Sequence, residues 1–266
     1  MGLILSIENT IGAYNAPNGF DADYQAVLDY GTTQGYTLPS ASQQVLQNQL
    51  VVDLKAAGVW SKLDTFGVFA TDGSGDFALI DWIRVSNYTA VNSPTFTVNQ
   101  GFQGNGVSSY IDMLYNPSVD AVNLALDNNH IMAYNLNATA TSGAMISSFG
   151  TSYLELINDN GSTRLISFNM STLGETPALP LNEQDGCFIS SRDNSANYII
   201  YKNASVLATA TRPSSSIANA AMRLLARSNN TIYGVGELSF ASVGSNLSAT
   251  EAPDFYTALN TYMTSI

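Results

Sequence analysis

The stretch of sequence that decides the fold covers residues 187–210 and reads CFISSRDNSANYIIYKNASVLATA. It contains three short segments rich in apolar residues, at 187–190, 198–202 and 205–210. A polar turn at 192–197 separates the first two segments, and Asn203 lies between the second and third. Runs of about 4–8 residues bounded by turn residues are typical of β-strands. The stretch therefore predicts three consecutive antiparallel strands.

The same signal recurs on both sides of this stretch, without helical segments in between. Further strands are predicted at 95–98, 110–114, 130–136, 144–149, 153–157, 164–168, 222–226 and 234–243. Residues 66–70 and 77–83 are predicted to form a hairpin around the polar turn 72–76. Regularly spaced short strands of this kind indicate an antiparallel β-sandwich or jelly roll.

The N-terminal part has a different period, and two helices are predicted there. The first covers residues 21–33, with Asp21 as a capping residue. The second covers 41–57, where Ser40 and Gln43 have the spacing of a capping box and apolar residues follow on one face. We interpret the two helices as a small antiparallel pair.

A third helix is predicted at the end of the sequence. Ser248 and Glu251 again have the spacing of a capping box, and Phe255, Leu259 and Tyr262 fall on one face of a helix.

Composition excludes several functions. The chain has 266 residues, 9 of them basic and 21 acidic, and a formal net charge of −12. Nine basic residues spread over the chain cannot build a phosphate-binding surface, so nucleic acid and anionic lipid are unexpected partners. No apolar run approaches the ~18 residues of a membrane span. Residues 3–7 are interpreted as a buried strand or packing arm, although Gly2 and Ser6 also fit the common myristoylation pattern.

Residues 95–266 resemble the concanavalin A-like lectin/glucanase jelly roll, of the laminin-G or pentraxin-like kind. Three segments carry the resemblance: FQGNGVSSYID at 102–112, FISSRDNSANYIIYKNASVLA at 188–208 and GVGELSFASVGSNLSATE at 234–251. Their order and spacing fit that family. The resemblance implies a fold and carries no function by itself.

Residues 37–82 resemble a segment that precedes such a jelly roll in some bacteriophage structural proteins. The similar stretches are LPSAS, LKAAGVW and FATDGSGDFALIDW. We therefore predict a mainly β protein in which a small α-helical N-terminal region precedes the jelly roll. The predicted division is an arm and helical pair for attachment or oligomerisation at 1–65, a β-hairpin connector at 66–94 and a jelly roll at 95–266.

No catalytic residue is predicted. Retaining glycosidases need two carboxyl groups about 5–5.5 Å apart, which alternation on one strand provides. Glu155 is alone on its strand, and Glu183 with Asp185 is interpreted as part of a loop. A pair of Cys187 and His130 is formally possible, but a cysteine in an apolar strand is more often a small buried hydrophobe.

No metal or cofactor site is predicted either. With one cysteine and one histidine, the chain can form neither a disulfide nor an ordinary Cys/His zinc site. The acidic stretch Asp72, Ser74 and Asp76 alternates oxygen ligands like a calcium loop, but Phe77 stands where an EF-hand loop has glycine. We interpret it as a polar turn.

Sugar binding stays open, because tyrosine and asparagine side chains are common in carbohydrate sites and the chain has 14 tyrosines. The tyrosines on predicted strands or beside them are Tyr110, Tyr134, Tyr153, Tyr198 and Tyr233. Each of them is also compatible with an ordinary position on a sheet.

The leading hypothesis is a bacteriophage virion protein, part of a fibre, tail or capsid appendage, that displays a non-enzymatic jelly roll for adhesion to host-surface glycan or protein. Its expected partners are other virion proteins or copies of itself, bound through the N-terminal region. The alternative is a non-catalytic bacterial carbohydrate-binding module, and a jelly-roll glycoside hydrolase is disfavoured.

Overall fold

The structure is a computed structural model that describes residues 19–137, 143–158, 165–177, 179 and 184–266. The predicted arm at residues 3–7, the motif at Gly2 and Ser6, and Glu183 lie outside the described residues.

The three predicted long helices are present. α1 covers Ala22–Gln34, α2 covers Ala41–Ala56 and α5 covers Glu251–Met263, while α3 (Gly75–Ala78) and α4 (Pro117–Asp120) are single turns. A 3-10 helix at Trp60–Lys62 follows α2. Asp21 caps α1 by accepting the N–H of Asp23. None of the described helices is both long enough and apolar enough to cross a lipid bilayer.

The two predicted capping boxes differ in detail. Ser248 and Glu251 satisfy each other's backbone N–H groups, with bonds of 2.8 and 3.2 Å. Ser40 accepts the N–H of Gln43 at 3.3 Å. The reciprocal bond is missing, because the Ser40 N–H donates to Asp72 and Gln43 Oε1 accepts from Thr71 and from the Asp72 N–H. The predicted capping box of Ser40 and Gln43 is therefore only half formed.

The predicted strands other than 77–83 are confirmed, with boundaries shifted by a few residues. The strands are β1 Leu63–Val68, β2 Ile80–Asp81, β3 Ser86–Asn87, β4 Thr89–Val91, β5 Thr95–Thr97, β6 Gly101–Gln103, β7 Tyr110–Asp112, β8 Asn129–Asn135, β9 Gly143–Phe149, β10 Tyr153–Asn158, β11 Leu165–Ser171, β12 Gly186–Arg192, β13 Asn197–Lys202, β14 Ser205–Thr211, β15 Arg223–Leu224 and β16 Glu237–Gly244.

These strands form two antiparallel sheets. The ten-stranded sheet has the order β14-β13-β12-β8-β16-β1-β2-β3, with β5 and β6 attached through β16. The six-stranded sheet has the order β11-β10-β9-β15-β7-β4. The predicted β-sandwich with a small helical region is confirmed.

Two apolar cores separate three layers. One core lies between the two sheets and includes Ile131 and Phe188 from the large sheet and Leu154 and Leu224 from the small one. The other lies between the opposite face of the large sheet and α1, α2 and α5. The helices therefore lie outside the sandwich, as predicted, and cover one face of its large sheet.

The region 63–83 differs from its predicted form. Residues 77–83 do not form one strand, because Ser74 caps the short helix α3 by accepting the N–H of Phe77 at 3.2 Å. β1 pairs with β16 from Leu63↔Gly244 to Val68↔Phe240. The division of the chain into regions 1–65, 66–94 and 95–266 stays a prediction. In the structure, β1 lies inside the large sheet, between β16 and β2.

Candidate functional site

The outer face of the six-stranded sheet is the candidate site. Side chains alternate along a strand, so Leu154 and Leu156 of β10 enter the core while Tyr153 and Glu155 point away from it. The helices cover the other sheet, and this face carries six aromatic or basic side chains that are all partly exposed. We call this set the aromatic face: Tyr110, Phe149, Tyr153, Phe168, Arg223 and Arg227.

Three rings form a continuous cluster across neighbouring strands. Phe149 of β9 pairs directly with Tyr153 of β10, and their rings are parallel with centroids 4.5 Å apart. Phe168 of β11 meets Tyr153 edge-on at 5.1 Å. Offset and edge-on contacts of this kind stabilise aromatic clusters. The cluster gives the sheet a rigid apolar surface.

A buried ion pair supports the cluster from beneath. Glu155 is fully buried, and Arg227 donates to it through Nη2 at 2.8 Å and Nε at 3.0 Å. The Ser147 hydroxyl donates to the same carboxylate. The Arg227 guanidinium also lies 4.2 Å from the centroid of the Phe149 ring. Glu155 therefore orients Arg227 against the aromatic cluster.

Burial dominates the electrostatics of Glu155, whose pKa is raised above its usual value. Burial raises its pKa, while the hydrogen bonds from Arg227 and Ser147 act in the opposite direction. Across the sheet, Glu155 of β10 pairs with Ser147 of β9, which pairs with Arg223 of β15. Arg223 pairs in turn with Asp112 of β7, the next acidic side chain in this row. Three strand spacings separate Glu155 from Asp112, about 14 Å, more than the ~5–9.5 Å that pairs of glycosidase carboxyls span.

Arg223 and Tyr110 form a second part of the face. The Arg223 guanidinium lies 4.4 Å from the centroid of the Tyr110 ring and donates from Nη1 to Asn230 at 2.5 Å. Within the described residues, Arg223 has no carboxylate at ion-pair distance, and its Nε–H has no hydrogen-bond partner. This Nε–H is buried, so a ligand at the face would contact Arg223 through its Nη groups.

The five tyrosines considered from the sequence separate into two groups. Tyr110 and Tyr153 belong to the aromatic face. Tyr198 is buried and donates to the Ser167 carbonyl, and Tyr134 is buried on the helix side of the large sheet. Tyr233 is partly exposed beside an isolated bridge to Ala226. No pattern in the sequence indicates that Arg223 and Arg227 belong to this site.

Cys187 and His130, the other pair considered for catalysis, do not lie opposite each other in the sheet. Cys187 pairs with Tyr134, whereas His130 of the same neighbouring strand pairs with Ser191. Burial raises the pKa of Cys187 and lowers that of His130 to about 4. The thiol and the imidazole are thus held in their neutral forms, at separate positions along the sheet.

The acidic residues considered for a metal have other contacts. Asp72 accepts the N–H of Ser40 at 2.9 Å, and Ser74 caps α3. Asp185 is exposed. In the part of the chain that the structure describes, no three His, Cys, Asp or Glu side chains are grouped as metal ligands.

Comparisons with known proteins identify the fold. No family model and no curated protein sequence matches the chain. Trypanosoma rangeli sialidase in complex with the inhibitor DANA is similar over 84% of this chain and 40% of its own, with 9% identity and a TM-score of 0.50. The chain thus spans less than half of that sialidase.

Two smaller β-sandwich domains are also similar. The CBM40 domain of the Ruminococcus gnavus IT-sialidase, bound to α2,3-sialyllactose, matches over 58% of this chain and 92% of its own, with 13% identity and a TM-score of 0.40. Domain 4 of the Geobacillus stearothermophilus arabinanase AbnA, in complex with arabinotriose, matches over 73% and 98%, with 15% identity and a TM-score of 0.48. At these identities the likeness concerns the fold alone.

Proposed function

We propose that the protein is a bacteriophage virion component whose jelly roll attaches to a glycan on the host surface through the aromatic face. The observation that carries the proposal is the aromatic face itself. It joins partly exposed rings and Arg223, which has no ion pair among the described residues, on the sheet that the helices leave uncovered.

The chemistry of the face suits a sugar chain. A pyranose ring presents C–H groups that pack on aromatic side chains, and its hydroxyl groups need donors and acceptors at the edge of that contact. Tyr153 and Phe168 supply the apolar surface. Polar groups lie further across the same face: Arg223, which donates to Asn230, is two strand spacings from the strand of Tyr153, and Asp112 is three. A rigid platform of this kind loses little conformational entropy on binding.

The assignment to a virion rests on the resemblance of residues 37–82 to segments of phage structural proteins. The low charge content, 11% of residues, is also compatible with an exposed β-rich appendage. In this proposal the protein is made in the bacterial cytoplasm and its final location is the particle. The N-terminal region would bind other virion proteins or further copies of the chain.

The proposed role is adhesion without catalysis. Glu155, a buried carboxylate beneath the aromatic face, is bound by Arg227 and Ser147. A carboxylate held in this way cannot donate or accept a proton without breaking its ion pair. We therefore expect Glu155→Gln to lower stability and to produce no change in any glycan-cleaving activity.

The binding test uses surface polysaccharides purified from candidate host bacteria, with the full chain immobilised for surface plasmon resonance. We expect Tyr153→Ala to weaken binding about tenfold or more, since it removes the central ring of the cluster. Tyr256→Ala, a partly exposed tyrosine on α5, is the matched control and should bind like the wild type. Equal loss in both variants, or no loss in either, would contradict the proposed site.

The virion assignment has a separate test. Antibodies against the full chain should label purified particles from an infected culture, and the gene should lie beside capsid or tail genes. A gene within a polysaccharide-utilisation cluster, with no protein in any particle, would favour the bacterial carbohydrate-binding module instead.

A further inference from the structure

The two arginines of the aromatic face differ in their partners. Arg227 uses its Nε and Nη2 groups for the Glu155 carboxylate, so its charge is balanced beneath the face. Arg223 is partly exposed, and its guanidinium makes one hydrogen bond within the described residues, from Nη1 to the neutral Asn230 Oδ1 at 2.5 Å. The face therefore presents one positive charge without a carboxylate at ion-pair distance.

The open side of the Arg223 guanidinium is formed by its two Nη groups. Nη2 has no hydrogen-bond partner among the described residues and, unlike Nε, is not buried. Nη1 carries two hydrogens and uses one of them for Asn230. Charged N–H groups form hydrogen bonds to carboxylates that are roughly twice as strong as bonds between neutral groups. An anionic acceptor is therefore the group that Arg223 binds best.

The position of this guanidinium is fixed before a ligand arrives. Its Cζ lies 4.4 Å from the centroid of the Tyr110 ring, and Asn230 holds it from the side. Asn230 belongs to a turn that is closed by the Arg227 N–H, which donates to the Ile232 carbonyl at 2.7 Å, and the Asn230 N–H donates to the Arg227 carbonyl at 2.9 Å. A guanidinium held in this way loses little conformational freedom on binding.

The acidic residues of the same sheet are bound elsewhere. Its six strands contain three charged residues, Asp112, Glu155 and Arg223. Asp112 pairs with Arg223 in the strand register, yet its Oδ1 accepts the Leu114 N–H at 2.9 Å, and the two side chains form no ion pair. Glu155 is bound by Arg227. A negative group at Arg223 would therefore be supplied by a ligand.

The lack of a carboxylate at Arg223 is a local feature of the face. Five other basic residues lie within 3.6 Å of a carboxylate oxygen: Lys55, Lys62, Arg84, Arg212 and Arg227. Arg192 is buried and donates to backbone carbonyls. The chain has 21 acidic residues, so acidic groups are not scarce.

We propose that the glycan bound by the aromatic face carries carboxylate groups and that one of them binds the Nη groups of Arg223. This inference rests on the proposed function and specifies the class of its ligand. A sugar acid provides both a C–H face for the aromatic rings and the single negative charge that the unpaired arginine lacks.

The width of the face sets the size of the ligand. β15, which carries Arg223, lies two strand spacings from β10, which carries Tyr153, and two spacings amount to about 10 Å. An oligosaccharide or a polymer therefore covers both parts of the face, with its carboxylate at the Arg223 end.

Surface plasmon resonance with the immobilised full chain tests the charge of the ligand. The probes are polygalacturonate, alginate and hyaluronate, each compared with its own carboxyl-reduced form, in which hydroxymethyl groups replace the carboxylates. Measurements at about 0.15 M NaCl screen the long-range repulsion between a polyanion and a chain of net charge −12. We expect at least one carboxylated polymer to bind about tenfold more tightly than its reduced form.

Three variants assign the preference to Arg223. Arg223→Gln removes the charge, so we expect it to bind the carboxylated polymer as weakly as the reduced form, with unchanged affinity for the reduced form. Lys55→Gln removes a positive charge from α2, on the helix side, and is the matched control that should bind like the wild type. Asp112→Asn removes the negative charge beside Arg223 and should strengthen binding of the carboxylated polymer alone, about twofold or more.

The outcomes separate this inference from the proposed function. Equal affinity for parent and reduced polymers, with Tyr153→Ala weakening both, would leave the glycan site in place and overturn the role of the carboxylate. Unchanged binding of the carboxylated polymer in Arg223→Gln, or an equal loss in Lys55→Gln, would also overturn it. If no carboxylated polymer binds, the inference falls, and the host polysaccharides then decide whether the aromatic face binds glycans.

Discussion

Replacing His130, the one histidine of the chain, should remove a specific part of the pH dependence of stability. The imidazole is fully buried and lies 2.6 Å from the Ser245 carbonyl through Nδ1 and 2.9 Å from the Ser242 hydroxyl through Nε2. The carbonyl can only accept, so Nδ1 donates and Nε2 accepts. Both nitrogens are satisfied in the neutral tautomer, and a proton on Nε2 would have to displace the hydroxyl hydrogen.

The direction of the effect follows from the depressed pKa. Burial is the main cause that lowers the His130 pKa to about 4, although Asp64 and Glu251 favour the charged form. In the unfolded chain the pKa is about 6.5. The unfolded state therefore binds a proton first as the pH falls, so this contribution to stability is present above about pH 6.5 and is lost between pH 6.5 and 4. The slope approaches about 1.4 kcal/mol per pH unit inside that window.

Urea unfolding followed by circular dichroism at pH 7.5 and pH 5.0 measures the effect. We expect the wild type to lose about 2 kcal/mol more than His130→Gln over this interval, because the variant lacks the titrating group. The carboxylates are common to both proteins and cancel in the difference. Equal losses in the two proteins, or a His130 ring that titrates near pH 6.5 by NMR in the folded state, would refute the reasoning.

Two further substitutions, one of them with a matched control, and one truncation test the packing. Gln47→Leu breaks the hydrogen bonds that join α2 to Tyr24 and Tyr262. It should lower the free energy of unfolding in urea by about 2–3 kcal/mol. The control is Gln49→Leu at an exposed position, which should change that free energy by less than about 0.5 kcal/mol. Ser248→Ala removes half of the capping box and should cost about 1 kcal/mol in the same assay. A chain that begins at residue 93 lacks β1, α1 and α2, so we expect it to bind a hydrophobic dye and to lack a cooperative thermal transition; a cooperative transition would mean that the jelly roll folds alone.

Local signals were sufficient to predict most of the fold. The turns at 192–197 and at Asn203 separate three strands that form a continuous part of the large sheet. The capping residues Ser40 and Ser248 marked two helices because their side chains act within one turn of the backbone. Alternation likewise identified residues 66–68 as extended. It could not identify their partner, because β16 lies about 170 residues further along the chain and pairing leaves no local pattern.

The candidate site was less accessible from the sequence. Glu155 was considered alone, because Arg227 is 72 residues away and the sequence does not indicate which turn approaches which strand. Tyr110 and Tyr153 were on the list of candidates, but so were Tyr134 and Tyr198, which are buried. Only the order of strands distinguishes an uncovered face from a covered one.

The position of β1 between β2 and β16 also affects how the protein is made. A ribosome adds about 5–20 residues per second, so β16 emerges roughly 10–30 s after β1, the strand with which it pairs. Throughout that interval the nascent chain presents an unpaired strand edge together with the apolar side of α2, which later packs against α5. We therefore expect synthesis to pass through an aggregation-prone stage, with a yield that depends on what protects that edge until β16 emerges.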